Sequence, residues 1–332
     1  MSSPLLSVVI PVYNEAAGLP ALFARLYPAL DALQIGYEVI FVNDGSRDKS
    51  AALLKDQFAV RPDVTRVVFF NANYGQHLAI LAGFERVRGE RVVTLDADLQ
   101  NPPEEIHKLL AAMDDGADYV GGVRRVREDS WWRRRASRLM NRLRERITRI
   151  RMTDQGCMLR AYSRDIVDAV AAAREVSTYI PALAYTFAHH PVEVDVLHEE
   201  RAAGESKYSM YRLIRLNFDL ITGFSLVPLQ LFSVAGMIVA LSSVVLYVFV
   251  IAQRAIVGGF IEGIKAFWDR DILAFFLIGC IMFGVGLLGE YVGRIYQQVR
   301  DRPRYVIRAV LERDVATEVA ARQGVESAQL IR

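Results

Sequence analysis

The chain is poor in cysteine, and its first residues lack the pattern of an export signal. Its 332 residues include only two cysteines, Cys157 and Cys280, which are too far apart in sequence to suggest a zinc site or a disulfide framework. This composition fits a reducing cytosol. The N-terminal segment MSSPLL has no basic start followed by an apolar stretch, so we expect no signal peptide. The first domain should then remain in the compartment where it is made.

Net charge is also scarce, at +2, because 40 basic residues nearly balance 38 acidic ones. Charged residues make up 23% of the chain and apolar residues 52%, and the mean hydropathy is +0.19. A soluble protein of this size usually has a negative mean hydropathy. We therefore expect part of the chain to contact lipid, with enough length for one large domain and an appendage.

Charge is absent altogether from two long runs in the second half. Residues 224–252 exceed the roughly 20 apolar residues that cross a bilayer, and residues 272–289 come close to that length. Two buried core helices are the alternative, but core helices rarely stay uncharged for so long. We predict a transmembrane hairpin over residues 223–293, with spans at 224–252 and 272–292. Basic residues flank both outer ends, which favours a cytoplasmic location for these ends and for the tail at 294–332.

Two basic segments that contain aromatic residues are predicted to lie at the membrane surface. Residues 124–151 include an amphipathic helix at 131–150, and residues 208–221 form most of a juxtamembrane helix at 206–222. Such helices bind anionic membranes. For the first segment, a solvated helix face or a nucleic-acid patch is the alternative. A patch beside two membrane spans meets lipid headgroups first, so we expect membrane lipids and no nucleic acid as partners.

The first half of the chain alternates strands with helices. Helical patterns of apolar residues run from Leu19 to Leu30 and from Gln76 to Val87. Short runs rich in β-branched residues predict strands at 6–12, 37–42, 65–70 and 91–95, with another beginning at 118. This alternation predicts an α/β domain over residues 1–205, with a doubly wound and mostly parallel sheet.

Acidic side chains follow the ends of three predicted strands. Glu15, Asp44 and the pair Asp96 and Asp98 should converge, because ligands of such sheets bind beyond the carboxyl ends of the strands. Two carboxylates at one strand end can share Mg²⁺ or Mn²⁺ with a diphosphate. A lone Asp-x-Asp is a weak signal that also occurs as a turn-capping pair. The preceding buried strand and the other strand-end acids favour the metal site.

Two polar loops leave their roles open. Asp44 could bind a ligand, or it could cap a helix that starts near Arg47. The loop with Asn71, Asn73 and Gln76 opens the next helix, where free N–H groups favour an anion or a polar ligand. Plain N-capping explains Asn73 equally well.

Several motifs together resemble a known family. SVVIPVYNE, VNDGS, NYGQ and TLDADLQNPPE, in this order and spacing, resemble glycosyltransferase family 2, which has a GT-A fold. VGGVR, the stretch at 133–137, RAAGESKYS and the two C-terminal runs resemble the polyprenyl-phosphate glycosyltransferases. NYGQHLAILAGF, DQGCMLRAYSRDIVDAV and LLGEYVGRIYQQVRDRPRY are similar to members that transfer 4-deoxy-4-formamido-L-arabinose to undecaprenyl phosphate. No Gln-x-x-Arg-Trp motif of processive synthases is present.

The resemblance and the loops described above give four sets of expected site residues. Donor binding is assigned to Pro11, Tyr13, Glu15, Asp44, Asn73, Gln76, Asp96, Ala97 and Asp98, and metal binding to Asp96, Asp98 and Gln100. The acceptor phosphate is assigned to Arg124, Arg133, Ser137, Arg201 and Lys207, and the catalytic set is Asp96, Asp98, Arg201 and Lys207. A lipid phosphate beside a diphosphate needs Arg and Lys to offset the repulsion. Arg133 could instead be a generic membrane contact, and Asp154 either lines the acceptor cavity or is a turn residue.

The predicted function is an inverting, metal-dependent transfer from a UDP-sugar to undecaprenyl phosphate at the cytoplasmic face of the bacterial inner membrane. The resemblance implies 4-deoxy-4-formamido-L-arabinose, lipid A modification and resistance to cationic peptides. UDP-glucose or a UDP-hexosamine is the alternative donor, and a non-catalytic UDP-sugar-binding scaffold is the remote alternative. The tail at 306–311 could add a strand to a neighbouring subunit of a homo-oligomer.

Overall fold

The computed structural model divides into two compact units. It describes residues 4–124, 150, 152–154, 156–173, 179–199, 270–299 and 303–313, together with scattered positions between 227 and 242. The first unit comprises Met1–Ala136, Ile150–Lys207 and Arg302–Arg332, and the second comprises Ser137–Arg149 and Tyr208–Asp301. The predicted juxtamembrane helix at 206–222, nearly all of the interfacial helix at 131–150 and most of the first span lie outside the described residues.

One sheet holds all eight described strands of the first unit. They are β1 (Leu6–Val12), β2 (Tyr37–Asn43), β3 (Thr65–Phe70), β4 (Arg91–Thr94), β5 (Tyr119–Arg124), β6 (Arg160–Ser163), β7 (Pro191–Val196) and β8 (Ile307–Leu311). Their order across the sheet is β7-β5-β6-β4-β1-β2-β3-β8. The centre β4-β1-β2-β3 is parallel, as predicted, whereas β8 and β6 run antiparallel to their neighbours and β7 is parallel to β5. The α/β prediction is confirmed, and the sheet is mixed rather than purely parallel.

Helices fill the connections between the strands. The described helices of the first unit are α1 (Leu19–Asp31), α2 (Ser50–Val60), α3 (Gln76–Phe84), α4 (Ile106–Asp114), α5 (Arg164–Ala172) and α6 (Ile180–Phe187), with a 3₁₀ turn at Pro103–Glu105. Helix α3 ends three residues before the predicted Val87. The backbone N–H of Arg88 instead donates to the buried carboxylate of Glu38 at 2.6 Å, which draws the chain towards β4.

The central strands are apolar on both faces because helices cover both faces of the sheet. Val8 and Ile10 belong to a buried cluster with the apolar face of α1. Val9 points to the other face, where a Cβ added to Gly83 of α3 would lie 2.4 Å from its Cγ1. The glycine therefore lets α3 approach β1 closely. This packing fixes the loops at the carboxyl edge of the sheet.

Strand β8 closes the outer edge of β3 within the same chain. The prediction that this tail extends the sheet of a neighbouring subunit is therefore wrong for residues 307–311. Two side-chain contacts hold the strand in place. Tyr305 stacks on Phe70 with ring centroids 4.8 Å apart, and Arg66 donates to Glu312 at 2.8 Å and to the buried Glu38 at 3.0 Å. Pairing with β8 covers the edge of β3 and makes β8 the outermost strand on this side of the sheet.

The second unit contains a long helix, α7 (Arg270–Val299). Many of its described apolar side chains are exposed, among them Ile278, Ile281, Met282, Phe283, Val285 and Leu288. Phe232, in the same unit, lies against Phe283 with ring centroids 6.0 Å apart. In the described part of the chain, no helix combines the length and the hydropathy needed to cross a membrane.

Candidate active site

The four parallel central strands end at one edge of the sheet, and the predicted donor and metal residues lie in the loops that follow. Tyr13 follows β1, Asp44 follows β2, Asn71 follows β3 and Asp96 comes shortly after β4. This is the edge at which open α/β sheets bind ligands. The structure thus brings the strand-end acids to one side of the molecule, as their positions in the sequence predict.

Asp44 is buried and holds the loop between β3 and α3. Its Oδ1 accepts from the backbone N–H of Tyr74 at 2.6 Å, and its Oδ2 accepts from the N–H of Gly75 at 2.8 Å and from Asn73 Nδ2 at 2.9 Å. Burial raises the pKa of Asp44, while the two backbone donors oppose that rise. The carboxylate is therefore already committed to ordering the 73–75 loop.

These contacts decide two alternatives left open by the sequence. Helix α2 begins at Ser50 rather than near Arg47, and Asp44 is not its cap. The turn before it is held by Asn43 Oδ1, which accepts the N–H of Ser46 at 2.9 Å. Asn73 is not the N-cap of α3 either, because that position is Gly75 and the Asn73 amide donates to Asp44.

Gly45 permits the close approach of the two loops. Its φ of +65° is in the left-handed region, and an added Cβ would lie 2.4 Å from the carbonyl carbon of Ala72. Any larger residue would push the 72–75 loop away from Asp44. The glycine of the Asn-Asp-Gly-Ser turn is therefore required by the geometry of the site.

The loop after β1 carries the other predicted donor contacts. Pro11 lies within β1 opposite Val42, and the Tyr13 side chain is 42% exposed. Asn14, which the sequence analysis passed over, fixes this loop because its Oδ1 accepts the N–H of Arg47 at 2.8 Å. The backbone N–H of Glu15 donates to Ser50 Oγ at 3.0 Å. The polar turn residues in both loops were the sequence feature that could have predicted these hydrogen bonds between the loops.

The Asp-Ala-Asp segment presents its two carboxylates on the more open side. Ala97 and Leu99 are buried, whereas Asp96, Asp98 and Gln100 are only partly buried. Leu99 has a φ of +60°, an uncommon conformation that turns the chain between the second aspartate and Gln100. The backbone N–H of Gln100 donates to Asp98 Oδ1 at 3.1 Å. The three predicted metal ligands therefore share one tight turn.

Gln76 joins this turn to the Asp44 loop. Its Nε2 donates to Asp96 Oδ1 at 2.6 Å, and it is the first residue of α3, directly after Gly75. Gly18 lies near both Ala97 and Glu15, since a Cβ on Gly18 would lie 3.7 Å from the Ala97 carbonyl oxygen and 3.9 Å from Glu15 Oε2. Predicted donor residues from three loops thus lie together.

Arg124, predicted to bind the acceptor phosphate, ends β5 and forms a bidentate pair with Asp154. Its Nε donates to Asp154 Oδ2 at 2.6 Å and its Nη2 to Oδ1 at 2.8 Å. Burial would raise the pKa of Asp154, but the hydrogen bonds and charge of Arg124 outweigh burial and lower it. The Asp154 pair raises the pKa of Arg124, and the charge of Asp96 adds to this effect. Asp154 is therefore an ion-pair partner rather than a simple turn residue.

His77 is a residue that the sequence analysis did not single out. It follows Gln76, and its ring meets the edge of Tyr179 with centroids 5.2 Å apart. Burial lowers the pKa of His77 to about 4, so the imidazole is neutral at physiological pH. The only sequence feature that marks His77 is its position directly after the Asn-Tyr-Gly-Gln motif.

Four predicted site residues, Arg133, Ser137, Arg201 and Lys207, lie outside the described residues. Within the described ranges, no group of three or more His, Cys, Asp or Glu side chains is arranged to hold a metal ion. The arrangement that the structure does show is a pair of carboxylates beside an open edge. Such a pair suits a cation that is shared with substrate phosphates.

Comparison with known proteins identifies the relatives of this chain. The description "Glycosyl transferase family 2" matches residues 7–171. An undecaprenyl-phosphate 4-deoxy-4-formamido-L-arabinose transferase of Aeromonas hydrophila is 48% identical over 313 residues, covering 92% of this chain and 94% of the relative. A protein of the same name from Serratia proteamaculans is 50% identical over 305 residues, covering 92% and 93%.

A more distant likeness exists to solved structures. Glucosyl-3-phosphoglycerate synthase from Mycobacterium tuberculosis, in complex with Mn²⁺, UDP-glucose and phosphoglyceric acid, has a TM-score of 0.47 and 16% identity. The match covers 67% of this chain and 78% of the synthase. The likeness is too weak for its ligands to be transferred to this chain.

Proposed function

This chain belongs to glycosyltransferase family 2 and is a glycosyltransferase, and on that premise we propose that it transfers 4-deoxy-4-formamido-L-arabinose from UDP to undecaprenyl phosphate. The observation that carries the proposal is the meeting of the Asp96–Asp98 turn with Gln76 and the Asp44 loop at one sheet edge. The sugar and the lipid acceptor are those in the names of relatives about half identical over 92% of the chain.

The donor is proposed to bind across the loops after β1, β2 and β3. Pro11, Tyr13 and Glu15 would lie against the uridine, on the floor formed by Asp44 and the ordered 73–75 loop. Tyr13 is exposed enough to pack on a base, and Asn73 is fixed by its bond to Asp44. Gln76 and Ala97 would line the path from the uridine to the diphosphate. The burial of Asp44 supports a rigid donor pocket.

The residues of the Asp-Ala-Asp turn fit a divalent cation held jointly with the substrate. Mg²⁺ usually keeps water and takes one or two carboxylates together with substrate phosphates, which matches two adjacent carboxylates without a third acidic ligand. Asp96, Asp98 and Gln100 would hold Mg²⁺ or Mn²⁺, which when bound neutralises charge on the leaving diphosphate. The hydrogen bonds from Gln76 and from the Gln100 backbone orient the two carboxylates.

The transfer is proposed to be a single inverting displacement. A phosphate oxygen of the acceptor forms a bond to the anomeric carbon, while the bond from that carbon to the UDP oxygen breaks and UDP leaves with the electron pair. A phosphate is ionised at neutral pH, so no strong general base is required. The rate then depends on positioning and on charge stabilisation. Arg124 would supply part of that charge, together with Arg133, Ser137, Arg201 and Lys207.

We further propose that the chain works at the cytoplasmic face of the bacterial inner membrane. The support is the uncharged runs at 224–252 and 272–289 and the basic residues outside them. A lipid acceptor with a long polyprenyl chain requires a site near the bilayer surface. The hairpin would hold the first unit there.

The experiment that tests the function uses the purified full chain with undecaprenyl phosphate, Mg²⁺ or Mn²⁺ and a panel of UDP-sugars, and detects lipid-linked product by mass spectrometry. We expect product with the formamido-arabinose donor and loss of product on chelation of the metal. Product with only UDP-glucose or a UDP-hexosamine would keep the reaction and reject the sugar. UDP binding without product from any donor would favour the scaffold alternative.

A paired substitution makes this test specific to the Asp-Ala-Asp turn. Asp98→Asn keeps the shape of the side chain but removes its charge, and we expect turnover to fall about 100-fold or more, the scale of a lost electrostatic contact in catalysis. Asp56→Asn, on the exposed surface of α2, is the matched control and should leave turnover unchanged. Full activity of the Asp98 variant would reject the proposed role.

A further inference from the structure

The chain buries a guanidinium, that of Arg160, beside the proposed site. Its side chain is 1% exposed, and Nε donates to the Cys157 carbonyl at 2.8 Å while Nη2 donates to the Asp154 carbonyl at 2.6 Å. Nη1 donates to the hydroxyl of Tyr119 in β5. No carboxylate of the described residues forms an ion pair with Arg160. Burying a charge is costly unless it is hydrogen-bonded, and here these bonds go to one turn and to the neighbouring strand.

The turn held by Arg160 carries Asp154, the partner of Arg124. Asp154 is 7% exposed, and its Oδ1 accepts the N–H of Gly156 at 3.0 Å as well as the Nη2 of Arg124. The Asp154 carbonyl accepts a hydrogen bond from Arg160, while its carboxylate accepts two from Arg124. A rotation of this residue would therefore break both contacts.

Two glycines leave room for the two guanidinium groups. A Cβ on Gly121 of β5 would lie 3.0 Å from Arg160 Nη1, and a Cβ on Gly156 would lie 2.6 Å from Arg124 Nη2. The turn and the strand are thus shaped around these side chains. The charge of Asp96 in the Asp-Ala-Asp turn also helps to raise the pKa of Arg124.

We propose that Arg160 is a positioning residue for glycosyl transfer: it fixes the 154–157 turn so that Asp154 holds the Arg124 guanidinium at the phosphate side of the site. This inference rests on the proposed function for the role of Arg124. Arg160 itself touches no substrate, but the proposal gives it a specific effect on the acceptor step. A purely structural role would lower stability and affect donor and acceptor alike.

The first experiment is a double-mutant cycle in the full chain. Arg160→Met should lower kcat/KM for undecaprenyl phosphate about 10-fold or more, while UDP affinity changes less than twofold. Arg160→Lys, which keeps the charge and loses the fork, should recover part of the activity. Asp154→Asn should give a similar loss, and the double variant should be little worse than Asp154→Asn alone, because both changes release the same side chain.

The control is Arg164→Met, four residues further on, whose partner Asp168 is on the exposed surface of α5. It should leave both kinetic constants unchanged. Additive losses in the cycle, or equal losses of UDP affinity and acceptor turnover, would overturn the proposal. If Arg160→Met does not fold, Arg160→Lys and Asp154→Asn complete the cycle.

A second measurement is independent of the reaction. Hydrogen exchange of the peptide spanning 152–158 should speed up at least 10-fold in Arg160→Lys, while exchange in α3 stays as in the parent chain. Unchanged exchange at 152–158 would overturn the positioning role whatever the substrate is. If the parent chain gives no product but exchange at 152–158 is still faster in Arg160→Lys, the proposed function is rejected and the role of Arg160 in the turn is kept.

Discussion

Asp44 shows how a single side chain organises the loops at the carboxyl edge of the sheet. Its carboxylate accepts from two backbone N–H groups and one side-chain amide of the 73–75 loop, and Gly45 makes the approach possible. A buried carboxylate needs hydrogen-bond donors, so the Asp44 carboxylate and its three donors hold one another in place. The same loop delivers Gln76 to Asp96. The order of the proposed uridine side and of the proposed metal side therefore depends on one residue.

Asp44→Asn tests this dependence. The amide has one acceptor oxygen instead of two, so at least one backbone N–H of the loop loses its partner, at a cost of about 1–3 kcal/mol. We expect a lower melting temperature and UDP binding weakened about 10-fold, measured by scanning fluorimetry and titration calorimetry. Asp31→Asn is the control, because its pair with Arg61 is exposed and worth about 1 kcal/mol or less. Unchanged UDP affinity in the Asp44 variant would contradict the coupling.

At the scale of elements, the sequence predicts the central strands well and the outer strands poorly. Strands β1 to β4 are buried on both faces and read as continuous β-branched runs, so their bounds agree within a residue. Strand β6 is only Arg160–Ser163, and β7 alternates charged with apolar residues at the sheet edge. Strand β8 pairs with a strand more than 200 residues earlier in the chain, and no local sequence pattern indicates that pairing. Its pairing with β3 is visible only in the folded chain.

The same limit applies to the candidate site. Residues directly after buried strands, such as Asp44 and Asp96, could be placed from the sequence because parallel strands share an edge. The pairing of Arg124 with Asp154 could not, because it depends on the antiparallel packing of β6 between β4 and β5. The neutral state of the half-buried His77 likewise depends on packing in the folded chain, where its ring contacts Tyr179, which is distant in sequence.

The attachment of β8 gives a prediction for the sheet as an element. Arg66 forms ion pairs with two glutamates. The Glu38 side chain is 6% exposed and also accepts hydrogen bonds from the Ser7 hydroxyl and the Arg88 N–H. The Glu312 side chain, directly after β8, is 41% exposed. Removing one partner of a buried ion pair costs about 3–5 kcal/mol, while an exposed partner is worth about 1 kcal/mol or less. Glu38→Gln should therefore lower the melting temperature far more than Glu312→Gln, measured on both variants in the same detergent. Equal shifts would show that the network is not centred on Glu38.

At the scale of the whole molecule, two units with different surfaces share one chain. The first has a buried core and polar loops at its active edge, while α7 of the second exposes a series of large apolar side chains. The proposed acceptor has both chemistries, since its phosphate is a ligand for Arg and Lys and its polyprenyl chain is apolar. The chemistry of the proposed substrate therefore matches the different surfaces of the two units.

The two native cysteines report on this arrangement. Cys157 is buried in the first unit, and burial raises the pKa of its thiol to about 11, so it should react with maleimide only after unfolding. Cys280 is exposed on α7, in the middle of the run at 272–289. If that run lies in the bilayer, a membrane-impermeant maleimide should fail to label Cys280 in intact membranes and should label it after unfolding in detergent.

Adding a third cysteine tests the side of the membrane in the same assay. Val60, at the end of α2, is 74% exposed, so Val60→Cys should label readily wherever the first unit meets solvent. We expect labelling in inverted inner-membrane vesicles and none in intact spheroplasts, because the proposed orientation puts this unit in the cytoplasm. Labelling of Val60→Cys in spheroplasts would reverse the orientation. Labelling of Cys280 in intact membranes of either kind would reject the prediction of a second span. The acceptor would then have to reach the site by another route.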